Sequence, residues 1–222
     1  MQFFVEGDPL NLDPAHLVIA GWTARDAAAI KHHIDELAAI GVAPPSATPL
    51  YYRASASLLT TAPAIQVVGR ASSGEVEPLI VQQGGRRWLG LGSDHTDRAL
   101  EAHSVALSKQ VCAKPCAPEL WPWDEVAGRL EQIELESWIE EDGAWVPYQG
   151  GTLAAIRPLA DMIEGAALDH LARDGAAAML CGTFGAKGGV RAAARFRMAM
   201  TDPATGSRIS HDYATTFLPE IA

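Results

Sequence analysis

Glu75 and Glu77 stand two residues apart in GEVEPLIV, and Asp94 follows in GSDHTDR. VEPLIV has the apolar, β-branched character of a strand, where side chains alternate faces, so both glutamates project to one side. Gly84-Gly85 supplies a turn that tolerates positive φ, and RRWLGLG returns as the second strand of a hairpin. With the two glycines at the centre of the turn, Gln83 pairs with Arg86, Glu75 falls opposite Asp94 and Glu77 opposite Gly92. Directly paired residues share a face, with Cβ atoms about 5 Å apart. Three carboxylates therefore converge on one patch, and a glycine leaves open space beside them. Like charges that close raise one another's pKa, and a hard divalent cation that prefers oxygen ligands relieves them. The pattern predicts a site for Mg²⁺ or Mn²⁺, with Ca²⁺ as an alternative. The competing reading is a set of ordinary solvated strand positions. Pro78, inside the first strand, predicts an edge or a bulge. The pleat sends His95 to the face opposite Asp94, so His95 and Asp97 stay outside the metal set.

The elements around this hairpin alternate in type. Ala27, Ile30, Ile34, Leu37 and Ala38 recur at helical spacing, so a helix is predicted over Thr23 to Ile40, with Thr23 and Asp26 at capping-box spacing and Gly41 as its stop. APPSATP follows as a loop, then an aromatic strand from Leu50 to Arg53. Helices are predicted over Trp123 to Leu130 and near Pro158 to Arg173. Leu135 to Glu140 and Trp145 to Gln149 form a hairpin turning at Glu141-Asp142-Gly143, and RFRMAM and SRISHDYA form another around DPATG. Many hairpins with few helices predict an α+β fold, a mixed β-sandwich or β-roll with flanking helices.

At these residues the chain resembles the fumarylacetoacetate hydrolase family, which includes acylpyruvate hydrolases and oxaloacetate decarboxylases. GEVEPLIV is similar to its metal-binding E-x-E strand, and SDHTDR to its (N/L)D-x-(S/T)-x-R segment. The resemblance implies Glu75, Glu77 and Asp94 as metal ligands and Arg98 as a substrate-facing arginine. SKQVCAKP resembles (A)KSF-x-x-x-C-P and implies a catalytic Lys109. MLCGTFGAKGGV resembles ILTGTP-x-GVG and implies a substrate-binding Thr183. PLYYRAS resembles P-x-x-F-x-KPS, with Arg53 in place of lysine. HIDEL resembles the H-x-x-E of a mobile lid, mapping onto His33 and Glu36 within a helical lid region at residues 20–50. The chain departs from the family in lacking the NY before the lid histidine, in carrying Glu101 where a glutamine is common, and in the shorter spacing from E-x-E to Asp94.

The resemblance implies one catalytic domain over residues 1–222, and a metal-dependent hydrolase or lyase. The implied reaction cleaves a C–C bond of a small 2-oxo or 1,3-dicarbonyl acid through a metal-stabilised enolate. His33, held by Glu36 one helical turn on, activates the water. Decarboxylation, hydration and isomerisation draw on the same site, and a non-catalytic small-molecule or metal-binding protein is the alternative from another class. Lys109 lies between apolar Val105, Leu107 and Val111, a setting more suited to function than to a surface lysine.

Bulk properties bound these readings. With 222 residues, 48% of them apolar, the chain is long enough for a sizeable core. A net charge of −10 argues against nucleic acid, because neutralising phosphates needs a basic surface. Three cysteines, Cys112, Cys116 and Cys181, are too sparse for a disulfide scaffold and suit a reducing compartment. No apolar run approaches the roughly 20 residues that cross a bilayer, and the N-terminus lacks a signal-peptide pattern. A cytoplasmic protein without membrane or nucleic-acid partners is expected. The family resemblance implies a homodimer, with Trp121, Trp123, Trp138 and Trp145 as candidate interface aromatics.

Overall fold

The structure, a computed structural model, describes residues 1–28, 30–31, 34–35 and 44–221. Its main strands are β1 (Gln2–Val5), β2 (Asp8–Asn11), β3 (Pro14–Gly21), β4 (Leu50–Ala54), β5 (Ala64–Val68), β6 (Val76–Gln83), β7 (Arg86–Ser93), β8 (Glu119–Pro122), β9 (Glu134–Glu141), β10 (Ala144–Thr152), β11 (Ala176–Leu180), β12 (Arg195–Thr201) and β13 (Arg208–Leu218). An eight-stranded sheet runs β2-β1-β8-β7-β6-β11-β3-β4, and a five-stranded sheet runs β10-β9-β12-β13-β5. Pairs β1/β8, β3/β11 and β5/β13 are parallel among otherwise antiparallel neighbours, so both sheets are mixed. The large sheet curls as a half-barrel, and the architecture is the α+β one that the hairpin pattern predicts.

The helices are short: α1 (Arg98–Glu101), α2 (Val105–Gln110), α3 (Trp123–Val126), α4 (Leu159–Gly165) and α5 (Leu168–Leu171). Both helices expected in the second half are broken. Trp123–Val126 gives way to a 3-10 stretch, and the Pro158–Arg173 segment splits at Ala167, whose φ of 51° is left-handed. Of the first expected helix, residues 27, 28, 30, 31, 34 and 35 are helical; Thr23 precedes it, and the cap is Asp26, which accepts a hydrogen bond from the Ala28 amide at 2.8 Å. His33 and Glu36 lie outside the described residues.

Strand alternation sorts the apolar side chains into two cores. Val76, Ile80, Leu89 and Leu91 join Met179, Leu135, Phe196, Met198 and Tyr213 between the sheets. Leu79, Val81 and Trp88 pack on the other face, inside the curl, with Leu17, Ile19, Leu120 and Leu180. The curl needs small residues on its inner face. A Cβ at Gly90 would lie 2.6 Å from Leu120 Cδ2, and one at Gly92 2.7 Å from Leu180 Cδ2. The space beside Gly92 is thus filled by a leucine, and not left open for a ligand as the hairpin count suggests.

The hairpin itself has the counted register: Gln83 pairs with Arg86, Glu77 with Gly92 and Val76 with Ser93, and the Asp94 amide donates to the Glu75 carbonyl at 3.0 Å. Gly84 and Gly85 turn with φ of 56° and 78°. Pro78 departs from expectation, because β6 is central and carries no bulge there. Its carbonyl accepts from the Cys181 amide at 3.1 Å, one step beyond the last β6/β11 pair, Leu79 with Leu180. The missing proline N–H therefore falls where that ladder ends, and costs no interior rung.

Candidate metal centre

Glu75 precedes β6, Glu77 is its second residue and Asp94 follows β7, which brings the three carboxylates to one end of the hairpin. Each can offer an oxygen that lies within 4.8 Å of the others. Glu77 and Asp94 are buried, Glu75 half-buried. Such a set is made of hard oxygen donors, suited to Mg²⁺ or Ca²⁺.

Each carboxylate is held differently. Glu77 Oε2 accepts from the Gly182 amide at 2.8 Å. Gly182 has a φ of 95°, and a Cβ there would lie 1.7 Å from Thr23 Oγ1, so the position requires glycine. Burial raises the Glu77 carboxyl well above its usual pKa, and the charges of Asp94 and Glu75 push the same way. Burial would also raise Asp94, but Lys109 and Lys114 outweigh it and hold Asp94 well below the carboxylate range. The Lys109 ammonium bonds to Asp94 Oδ2, and Lys114 Nζ sits 3.2 Å from Asp94 Oδ1 and donates to the His95 carbonyl. Burial alone would lower the pKa of Lys109; Asp94, Glu75 and Glu77 together raise it, so it stays an ammonium. The cluster attracts positive charge, which is the behaviour a cation site needs.

Glu75 is fixed from behind. Its amide donates to Ser93 Oγ at 3.2 Å, and its Oε1 lies 3.0 Å from Arg98 Nη2. Arg98 Nε donates to Ser73 Oγ at 2.8 Å, and Nη1 to Glu101 Oε2 at 2.9 Å. The contact to Glu75 is an ion pair out of hydrogen-bond alignment, and Nη2 has no hydrogen-bond partner among the described residues. Ser93 Oγ meets Tyr213 Oη at 2.9 Å, and His95 bridges Tyr213 Oη at 3.0 Å and Ser72 Oγ at 2.9 Å. His95 thus turns towards the second sheet. Asp97 caps α1 through the Leu100 amide.

A cavity of about 620 Å³ opens above the cluster, lined by Glu75, Glu77, Lys109, Thr183 and Gln149, among others. Of the substrate residues expected from sequence, Thr183 lines it, although its hydroxyl donates to the Val76 carbonyl at 2.6 Å and accepts from Gln149 at 2.8 Å. Arg98 and Arg53 do not line it. Arg98 is spent on Glu75 and Glu101, and Arg53 is exposed on β4, 3.2 Å from His16 Nδ1. The β4 alternation presents Tyr52 to the cavity instead.

Two residues of this centre carry no sequence signal of their own. Gln149 is buried on β10; its Oε1 accepts from the Val76 amide at 2.9 Å and from Ser137 Oγ at 3.2 Å, and its Nε2 donates to Thr183 Oγ1 and the Phe184 carbonyl, both at 2.8 Å. One amide therefore ties both sheets to the loop that holds Glu77. Lys114 is fully buried in SKQVCAKP, five positions from Lys109, and only the fold shows that both meet Asp94.

The sequence matches, over residues 20–213, the model of a family described as protein of unknown function (DUF2848). The chain belongs to that family. No curated protein sequence matches it. Among solved structures it is similar to a 2-keto-3-deoxy-D-arabinonate dehydratase complexed with magnesium and 2,5-dioxopentanoate, at 14% identity and a TM-score of 0.62, over 94% of this chain and 75% of that one. It is also similar to the 4-oxalocrotonate decarboxylase of Pseudomonas putida G7 complexed with calcium and acetate, at 14% identity and a TM-score of 0.58, over 93% of this chain and 78% of that one. At these identities the likeness shows a common fold.

Proposed function

We propose that this DUF2848 protein is a divalent-metal-dependent enzyme of the fumarylacetoacetate hydrolase superfamily that cleaves a C–C bond in a small 2-oxo or 1,3-dicarbonyl acid. The observation that carries the reading is the convergence of Glu75, Glu77 and Asp94, with donor atoms within 4.8 Å of one another, where Glu75 and Glu77 line a cavity together with Lys109. The magnesium and calcium of the two similar structures support the choice of ion.

Glu75, Glu77 and Asp94 would hold Mg²⁺, with Mn²⁺ or Ca²⁺ as alternatives. Bound there, the ion supplies Lewis acidity to the oxygens of a 2-oxo acid head group. Lys109 faces the same space as a fixed ammonium and stabilises negative charge developing on a substrate oxygen. Thr183 and Gln149 set the cavity wall. The H-x-x-E spacing sets Glu36 three residues after His33, a separation at which two side chains of a helix can interact. His33 is assigned the water-activating role on that spacing. Decarboxylation, dehydration or isomerisation of a 2-oxo acid draws on the same groups, and the dehydratase and decarboxylase among the similar structures favour that second reading. The resemblance also supports a cytoplasmic homodimer.

The test follows the ultraviolet absorbance of an acylpyruvate with Mg²⁺ and with EDTA, together with carbon dioxide release from oxaloacetate. Metal-dependent decay that is lost in Glu77→Ala is expected. Absence of Mg²⁺ or Mn²⁺ binding to the wild-type protein by calorimetry sinks the reading.

A further inference from the structure

The floor and the walls of the cavity differ in character. Among the described residues, Lys109 is the one lysine or arginine that lines it, and its ammonium is bonded to Asp94. Arg98 stands behind, while Glu101, its partner at 2.9 Å, lines the cavity in its place. The residues outside the described part, 29, 32–33, 36–43 and 222, contain no lysine or arginine, and those at 32 and 33 are histidines. The walls are largely apolar and aromatic, with Trp22, Tyr52, Val105, Tyr148, Phe184 and Val190. Their polar groups offer no charge: Tyr52 Oη accepts from Trp22 Nε1 at 3.1 Å, Tyr148 Oη accepts from the Arg191 amide at 3.3 Å, and the Gln149 amide is saturated.

A substrate whose head sits over the carboxylates extends its tail along these walls. A second carboxylate on that tail would lose water, find no free cation, and meet the like charge of Glu101. An apolar tail would trade water for aromatic surface. We propose that the cavity selects 2-oxo monoacids with an uncharged, mainly apolar tail, and that Glu101 is the specificity-determining residue, rejecting diacids by its own charge and by neutralising Arg98. The inference rests on the metal-dependent 2-oxo-acid reading above. Discrimination here comes from a repulsive element as much as an attractive one.

The experiment uses two acids with one carbon skeleton, 2-oxohexanoate and 2-oxohexanedioate. Each is titrated calorimetrically into Mg²⁺-loaded protein at about pH 8, where an ordinary histidine is neutral. Wild type should bind the monoacid at least about tenfold more tightly, a difference that rests on the repulsion described. Glu101→Gln, which removes the carboxylate charge beside Arg98 while keeping the side-chain shape, should narrow that ratio by tightening the diacid. Val105→Lys, which adds a wall cation without touching the Arg98 pair, should do the same and serves if Glu101→Gln fails to fold. Equal or tighter binding of the diacid by wild type overturns the inference and leaves the 2-oxo-acid reading standing. An unchanged ratio in a folded Glu101→Gln overturns the role of Glu101. If Mg²⁺ binds but neither acid does, the 2-oxo-acid reading falls and this inference falls with it.

Discussion

Lys109 and Asp94 share the most consequential contact in the centre, because the ammonium already provides part of the charge that a cation would. Lys109→Ala should therefore keep or tighten Mg²⁺ binding while lowering turnover by about 10²–10³-fold, the usual cost of losing one charge-stabilising donor. A calorimetric Mg²⁺ titration beside steady-state rates separates the two; weaker Mg²⁺ binding in the variant would show that Lys109 orders the ligands. Next to Asp94, burial holds His95 at a pKa of about 3 against an ordinary 6.5, with Lys114 and Arg98 adding to the shift. The folded state keeps this ring neutral while the unfolded chain takes up a proton. His95 thus costs stability progressively as pH falls below about 6.5, until both states are protonated near pH 3. The melting temperature of His95→Gln should fall less steeply over that window than that of wild type, provided Gln bridges Ser72 and Tyr213; parallel curves would count against this account. The three carboxylates were legible because a pleat and a two-glycine turn fix their relation locally. Arg53 and Arg98 do not line the cavity, because spacing says nothing of which side of a wall a guanidinium occupies. Here Glu75 and Glu101 capture one, and solvent the other.

Hairpins were the readable elements. Glycine turns at 84–85 and at Asp142-Gly143 fix register within a dozen residues, and β6/β7, β9/β10 and β12/β13 all pair as expected. The parallel pairs were not readable, since β3/β11 joins segments about 160 residues apart and no local pattern encodes that meeting. The clamp by Gln149 belongs to the same class: it reaches Val76 across 73 positions. Gln149→Leu strands the Val76 amide and the Ser137 hydroxyl and removes two donors from the 183–184 loop. It should cost about 1–3 kcal/mol in urea unfolding, the penalty of buried polar groups left unpaired. Mg²⁺ affinity should fall as well, because Thr183 and Phe184 follow directly on Gly182, which holds Glu77. A variant with lowered stability but unchanged Mg²⁺ affinity would confine Gln149 to the scaffold.

At the scale of the whole molecule, three of the four candidate interface tryptophans have arginine neighbours. Guanidiniums of the same chain lie over Trp123, Trp138 and Trp145, from Arg87 at 5.2 Å, Arg208 at 6.0 Å and Arg197 at 4.2 Å. An interface seated on these rings would bury the arginines with them, and light scattering reports whether the dimer forms. Among the described residues no helix is long and apolar enough to cross a membrane. Cysteine placement gives the global test. All three thiols are buried and free, and burial pushes Cys112 to about 11, Cys116 to about 12 and Cys181 well above the ordinary thiol range. A thiolate reagent should therefore label none of them in the native state, and all three in denaturant. Slow native labelling then reports how often the structure opens, and Cys181 adjoins the glycine that holds Glu77. When reclosing outpaces labelling, the rate follows the open population. Magnesium at about 100 times its dissociation constant adds roughly 2.7 kcal/mol to the closed state and should slow Cys181 labelling about 100-fold. In Glu77→Ala that protection should vanish. Magnesium that slowed labelling equally in both proteins would be binding somewhere other than these three carboxylates.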